Sequence, residues 1–222
     1  MAEGNYTLDS VRDVLVREED IIIFGLIERA KFPLNFNAYN KNYFNIPSFA
    51  LTLLHFVAID TEALQAKGGR YGNPEENPFF PEKLPPSFVT PYPFTKFLHA
   101  GGASININKS IWKFYLDEFL SKWFDVLGDD GNYAQTAASD FSLLQDKKGI
   151  EKLLTDTSVE EKVIKRVEEK ARVYGMYVTL NKGNKNGTKY KVDPLVVSTL
   201  YKKWLIPLTK SVEVEYLLHR LD

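Results

Sequence analysis

The side chains of this chain that could do chemistry are charges set among apolar residues. Arg12 stands between Val11 and the pair Val14 and Leu15, and Glu160 and Arg166 flank Val163 and Val167. Thr209 and Glu213 are four apart, a spacing that puts both on one face of a helix. The chemistry open to such a set is ion pairing and hydrogen bonding. Each residue also has an ordinary structural reading. Arg12 can pair with Asp9 or Glu19; Glu160 and Glu161 fall in a helical first turn, where the dipole favours acids; Thr209 and Glu213 can lie on a solvated face.

Composition removes most other chemistries. The chain of 222 residues has no cysteine, which excludes disulfides, thiolate metal sites and thiol nucleophiles. Its three histidines (His55, His99, His219) are widely spaced, against a His-ligated metal. Neither a GxGxxG turn nor a GxxxxGK[ST] loop occurs. With 28 basic and 29 acidic residues there is no basic excess for nucleic acid or an anionic membrane. The longest apolar stretch, Phe49 to Ile59, is interrupted by Thr52 and His55 and is too short to span a bilayer. MAEGNYTLDSVRDV has the features of neither a signal nor a transit peptide, so the expected address is the cytoplasm.

The elements that would position these residues read as helices. Three- and four-residue apolar steps predict helices over 7–31, 48–67 (capped by Ser48), 106–127, 136–145, 158–174, 194–205 and 208–221, with a short piece at 150–154. Pro207 is expected to kink or joint the last pair. Val159, Val163, Val167 and Ala171 form the predicted stripe of the 158–174 helix. Strand-like alternation is scarce outside Tyr177–Leu180. Residues 73–93 hold seven of the eleven prolines and read as an extended surface strap, with Phe79 and Phe80 as anchors. Residues 181–191, rich in Gly, Asn and Lys, read as a loop. The expectation is one all-α domain over 1–222.

Several long stretches carry a more specific signal. VRDVLVREEDIIIFGLIERAKF (11–32), NPEENPFFP (73–81), GDDGNY (128–133), SVEEKVIKRV (158–167) and YKVDPLVVSTLYKKWLIPLTKSVEVEYLLHRLD (190–222) resemble, in order, the eukaryotic all-helical chorismate mutases, plant cytosolic type. The resemblance implies a single-domain multi-helix bundle and the Claisen rearrangement of chorismate to prephenate, without metal or cofactor. That pericyclic step requires a dianion confined in its reactive conformer, and charge that complements a polar transition state. Residue by residue, the resemblance implies that Arg12 holds a substrate carboxylate and Glu160 accepts the ring hydroxyl. Asp156 lies beside that contact, where the family often has asparagine. Thr209 is a carboxylate-side hydroxyl and Glu213 an acid at the ether oxygen, able to donate there only when protonated. Arg166 stands near the site.

The resemblance also exposes a departure. After Gln145 the family continues with a segment of the type SRRIHYGKFVAEVKF, which supplies an arginine and a lysine to the site. Here DKKGIEKLLTD follows directly, so about thirty residues, a helix and its connector, are expected to lack a counterpart. Lys147 and Lys148 are the nearest replacements. The implied function is therefore chorismate mutase chemistry with impaired activity, or an inactive homologue acting as scaffold or dimer partner. The implied partners are chorismate and a second copy or a paralogue. Ala134-Gln135 and Gly69-Arg70 stand where regulated members carry Gly-Ser and a double arginine, which implies no response to tryptophan or tyrosine.

Overall fold

The structure, a computed structural model, describes residues 7–73, 76–91, 99–120, 132–144, 157–177 and 189–219. Seven α-helices are found there: α1 Leu8–Arg29, α2 Leu53–Lys67, α3 Asn108–Phe114, α4 Tyr133–Leu144, α5 Thr157–Gly175, α6 Pro194–Leu200 and α7 Ile206–His219. No named strand occurs among the described residues. Of the strand-like expectation at Tyr177–Leu180 only Tyr177 is described, next to an isolated antiparallel bridge between Met176 and Tyr190; residues 178–180 lie outside the described set. The expected helix at 150–154, most of the loop at 181–191, Asp156, Lys147 and Lys148 also lie outside it.

The elements fall into two compact units. One comprises Met1–Lys31 and Asp146–Glu213. In it α1 buries Leu15, Ile22, Ile23, Leu26 and Ile27, the stripe a 3.6-residue period produces. The facing helix α5 buries Val163, Val167 and Ala171, while Val159 in its first turn is 39% exposed, so the apolar stripe begins a turn later than its spacing suggested. α6 starts cleanly because Asp193 accepts from Leu195 N–H at 2.9 Å and Pro194, lacking an N–H, takes the first turn. Between α6 and α7 the backbone stays helical through a π turn, Tyr201–Leu205. That wider turn sits just before Pro207, whose ring would otherwise strike a carbonyl one turn back. The predicted joint is thus a continuous bulged helix.

The other unit comprises Phe32–Gln145 and Val214–Asp222. Leu54 and Ala58 of α2 meet Ala137 and Phe141 of α4, and Phe79, Phe80 and Trp112 pack against them. The strap is held by polar contacts as well. Glu62, 1% exposed, accepts from the backbone N–H of Phe79 at 2.7 Å and of Phe80 at 2.9 Å. Asn108 Nδ2 donates to the carbonyls of Asn77 and Pro78. α3 runs on through a second π turn, Tyr115–Phe119, within the predicted 106–127 helix, of which residues 121–127 lie outside the described set. α2 begins later than expected: Thr52, not Ser48, is its cap and accepts from His55 N–H. Ser48 lies at φ 60°, inside a turn closed by Phe49 N–H on the Ile46 carbonyl, and so cannot cap.

Gly69, which follows α2, sits at φ 88°, and a Cβ there would stand 3.3 Å from Val89 Cβ. An arginine at this position would be strained. Gly69→Arg is expected to cost about 1–2 kcal/mol. A thermal melt checks it; an unchanged midpoint would show that the turn relaxes freely.

Candidate functional site

The site residues implied by the sequence that the structure describes all lie in the unit of α1, α5, α6 and α7 up to Glu213. Glu160, in the first turn of α5, is joined to α7 by an ion pair: Lys210 Nζ stands 2.6 Å from Glu160 Oε1. The Glu160 side chain is 19% exposed and that of Lys210 is 40% exposed, so the pair sits at a rim. The start of α5 adds the positive end of its helix dipole to the same carboxylate.

One turn along α7, Glu213 is partly buried, and its Oε1 is sealed from solvent with no hydrogen-bond partner among the described residues. Burial pushes the Glu213 carboxyl above its ordinary range, opposed by the Lys210 charge. A sealed, unpartnered carboxylate oxygen is costly, which favours the protonated form. That is the form in which an acid can donate a hydrogen bond.

Thr209 is fully buried and shares the Glu213 face. Its Oγ1 donates to the Leu205 carbonyl at 2.8 Å, the last residue of the π turn. With its proton engaged in this bond back along the helix, the hydroxyl presents lone pairs to a neighbour and must rotate before it can donate elsewhere.

Arg166 is engaged. Its Nε donates to Glu19 Oε2 at 2.9 Å, and its Nη2 donates to Glu19 Oε1, a bidentate fork from α5 onto α1. This hydrogen bonding raises the Arg166 pKa further, so the guanidinium stays charged. Lys170, one turn on, adds 3.1 Å to Glu19, 2.7 Å to Asp20 and a 2.6 Å bond to the Val16 carbonyl. Sequence spacing named Glu19 only as an alternative partner for Arg12; its link to Arg166 spans 147 residues and leaves no local signal. An open groove of about 350 Å³ runs beside this cluster, lined by Arg166, Glu169, Lys170, Val173 and Tyr174.

Arg12 takes the first of its two ordinary pairings. It is exposed, and Nη1 donates to Asp9 Oδ1 at 3.3 Å across an i,i+3 step. A pair this open contributes little, so the guanidinium is free to leave it for a stronger anion. The structure therefore joins Glu160 of α5 to Lys210 of α7, three residues before Glu213, leaves Thr209 on the Glu213 face, and ties Arg166 to α1. Lys210 escaped the sequence reading, although its three-residue offset from Glu213 places both on one helical face. Among the described residues no group of three or more His, Cys, Asp or Glu could hold a metal ion, and no helix is long and apolar enough to cross a membrane.

No family model matches the chain. It is 45% identical over 258 aligned positions to chorismate mutase 2 of Petunia hybrida, covering 100% of this chain and 97% of that protein. It is 42% identical to the cytosolic chorismate mutase 2 of Zea mays, covering 97% of this chain and 96% of the other. Among solved structures, the chloroplast chorismate mutase of Zea mays superposes with a TM-score of 0.85 at 37% identity, over 100% of this chain and 98% of that one. Identity at this level over whole chains, with an all-helical fold to match, places the chain in the chorismate mutase family of plants and fungi.

Proposed function

We propose that the chain rearranges chorismate to prephenate by electrostatic confinement, at a rate well below that of relatives with a full set of site cations. The observation that carries this reading is Glu213, an acid with one sealed, unpartnered oxygen and a raised pKa, one turn from buried Thr209. The reaction breaks the ether C–O bond and forms a C–C bond within one molecule, with no net proton transfer. What it needs from a protein is a donor at the ether oxygen as charge develops there. Glu213 in its protonated form supplies that donor, Glu160 accepts the ring hydroxyl, and Arg12 leaves Asp9 to grip a carboxylate. Asp156, outside the described residues, is assigned to substrate contact by resemblance, and Arg166 supports the site through Glu19.

The expected deficit rests on chain length. The match to the Petunia relative extends over 258 positions, whereas this chain supplies 222 residues. This supports a missing stretch, read from the sequence as following Gln145. Loss of one preorganised donor typically costs about 3–4 kcal/mol of transition-state stabilisation, and such losses are not additive. The test is prephenate formation by the purified protein beside Arg12→Ala. Turnover that disappears in the variant supports the assignment; equal turnover in both removes Arg12 from the site, and none above the uncatalysed rate from folded protein removes the activity.

A second reading, a non-catalytic partner of a second copy or of an intact paralogue, has its own observation. Ile21 and Phe24 of α1 and Val173 of α5 are about half exposed, and Phe24 stacks on Tyr174 at 5.1 Å, an apolar face of the kind that partners cover. Light scattering on the chain alone and mixed with an active paralogue separates monomer, homodimer and heterodimer. The cytosolic maize relative supports a cytoplasmic address.

A further inference from the structure

We infer that Gly101 and Gly102 form a dock for the end of α7, and that Tyr216, seated on it, is a positioning residue that keeps the Glu213 turn of that helix ordered. The inference rests on the reading of Glu213 as a site acid; the dock itself stands on contacts within one compact unit, between residues 99–104 and 214–219. A Cβ on Gly102 would stand 2.8 Å from Tyr216 Cε2 and 3.0 Å from its Cδ2, and one on Gly101 would stand 2.8 Å from His219 Cβ. Packed side chains do not approach so closely. The ring edge of Tyr216 and the stem of His219 therefore fill the room that two absent side chains leave. His99 N–H donates to Tyr216 Oη at 3.0 Å, which holds the ring by its far end as well.

Three further observations point the same way. Among the described glycines only Gly69 has a positive φ, so backbone conformation does not call for glycine at 101 or 102, and room does. The turn is built to keep its shape: Gly101 N–H donates to His99 Nδ1 at 3.3 Å, Gly102 N–H to the His99 carbonyl at 2.9 Å, and Ser104 Oγ to the Gly101 carbonyl at 2.7 Å. Along the last turns of α7, Val214, Glu215, Leu217 and Leu218 are exposed, whereas Tyr216 and His219, which meet the two glycines, are partly covered.

The consequence for the site follows from helix spacing. Thr209, Glu213 and Tyr216 recur at steps of four and three, so the docked ring continues the face that carries the two site residues. A helix end with most of its surface in water frays, and opening of the last turn reaches back to Glu213. A donor that serves a transition state must already be in place, so order at residue 213 enters the rate directly.

The experiment uses the full chain with Gly102→Ala and Tyr216→Phe, and with Gly72→Ala as the control, where a Cβ meets nothing within 4 Å. Hydrogen exchange of the helix amides is followed by mass spectrometry, and kcat and KM for chorismate are measured. In Gly102→Ala the amides of 212–219 exchange about tenfold faster while α1, α2 and α5 keep their rates, which marks local opening. In the same variant kcat falls about tenfold with KM unchanged, as for a group used in the transition state. Tyr216→Phe keeps the ring, loses the acceptor for His99 N–H, and moves both readouts the same way by less. Gly72→Ala changes neither. The inference is overturned by wild-type α7 exchange in folded Gly102→Ala, by faster exchange spread evenly over all helices, or by a loosened α7 with wild-type kcat. If the wild-type chain shows no turnover, the proposed reaction falls, while exchange around residue 213 still decides the dock. Should Gly102→Ala not fold, Tyr216→Phe carries the same measurement.

Discussion

Glu213→Ala is expected to lower kcat for chorismate rearrangement by about 10²–10³-fold, the usual cost of one donor aimed at developing negative charge. Glu213→Gln is expected to keep most of the activity and to lose its pH dependence. The carboxyl donates only when protonated, so wild-type activity is complete at low pH and falls as pH rises through the raised Glu213 pKa. An amide donates at every pH. The same carboxyl has a stability consequence of the same sign. Because its folded-state pKa is raised, the stability linked to its protonation is fully present below the ordinary carboxyl range and is lost as pH rises through the raised value. Melting of Glu213→Gln should therefore gain on the wild type as pH rises. A wild-type profile that climbs toward alkaline pH, or a Glu213→Gln variant with the wild-type profile, would remove the donor role.

Glu19→Ala is expected to be the most damaging substitution between α1 and α5. Glu19 is 4% exposed and takes the guanidinium fork of Arg166 and the ammonium of Lys170. Its removal leaves Arg166 without this partner, and Lys170, 15% exposed, with Asp20 as its remaining carboxylate among the described residues. Breaking a buried pair from one side costs about 3–5 kcal/mol; Arg166 is 40% exposed and recovers some hydration, so about 3 kcal/mol is expected. At roughly 2–4 °C per kcal/mol for a chain of this size, the melting midpoint should fall by about 6–12 °C. Glu19→Leu combined with Arg166→Met removes both charges and should recover much of the loss, because neither partner is then stranded. A Glu19→Ala midpoint within about 2 °C of the wild type would mean that water already does what Glu19 is credited with.

The two predictions concern the same unit and separate binding chemistry from scaffold. Glu213 is an acid whose surroundings leave it unsatisfied. Glu19 is one whose surroundings satisfy it fully, and it holds the helix that carries Glu160. A protein that loses activity at Glu213 without losing stability, and stability at Glu19, would have the division of labour that the geometry describes.

The sequence by itself determined the helices and the family. Apolar residues at 3.6-residue spacing over 11–27 and 163–171 can bury only one face, so α1 and α5 follow from pattern alone. Pro194 after Asp193 marks a helix start on local chemistry. Local chemistry failed where a turn overrode it: Ser48 has a capping side chain but a left-handed backbone, and α2 waits for Thr52. The pairing of Thr209 with Glu213 was legible because four residues make one helical turn.

What only the tertiary structure decided is which charges meet across helices. Lys210 and Glu160 lie fifty residues apart, Arg166 and Glu19 farther still, and nothing in helical periodicity relates one helix to another. Arg12 had two equally good partners in the sequence. The fold gave Glu19 to Arg166 and Lys170, leaving Arg12 on Asp9 at the surface. Burial was decided in the same way: Val159 belongs to the apolar stripe by spacing and is exposed, while Glu213 is polar by type and has its oxygen sealed. Side-chain spacing fixes the face of a helix on which a residue lies; what covers that face is set by the elements packed against it.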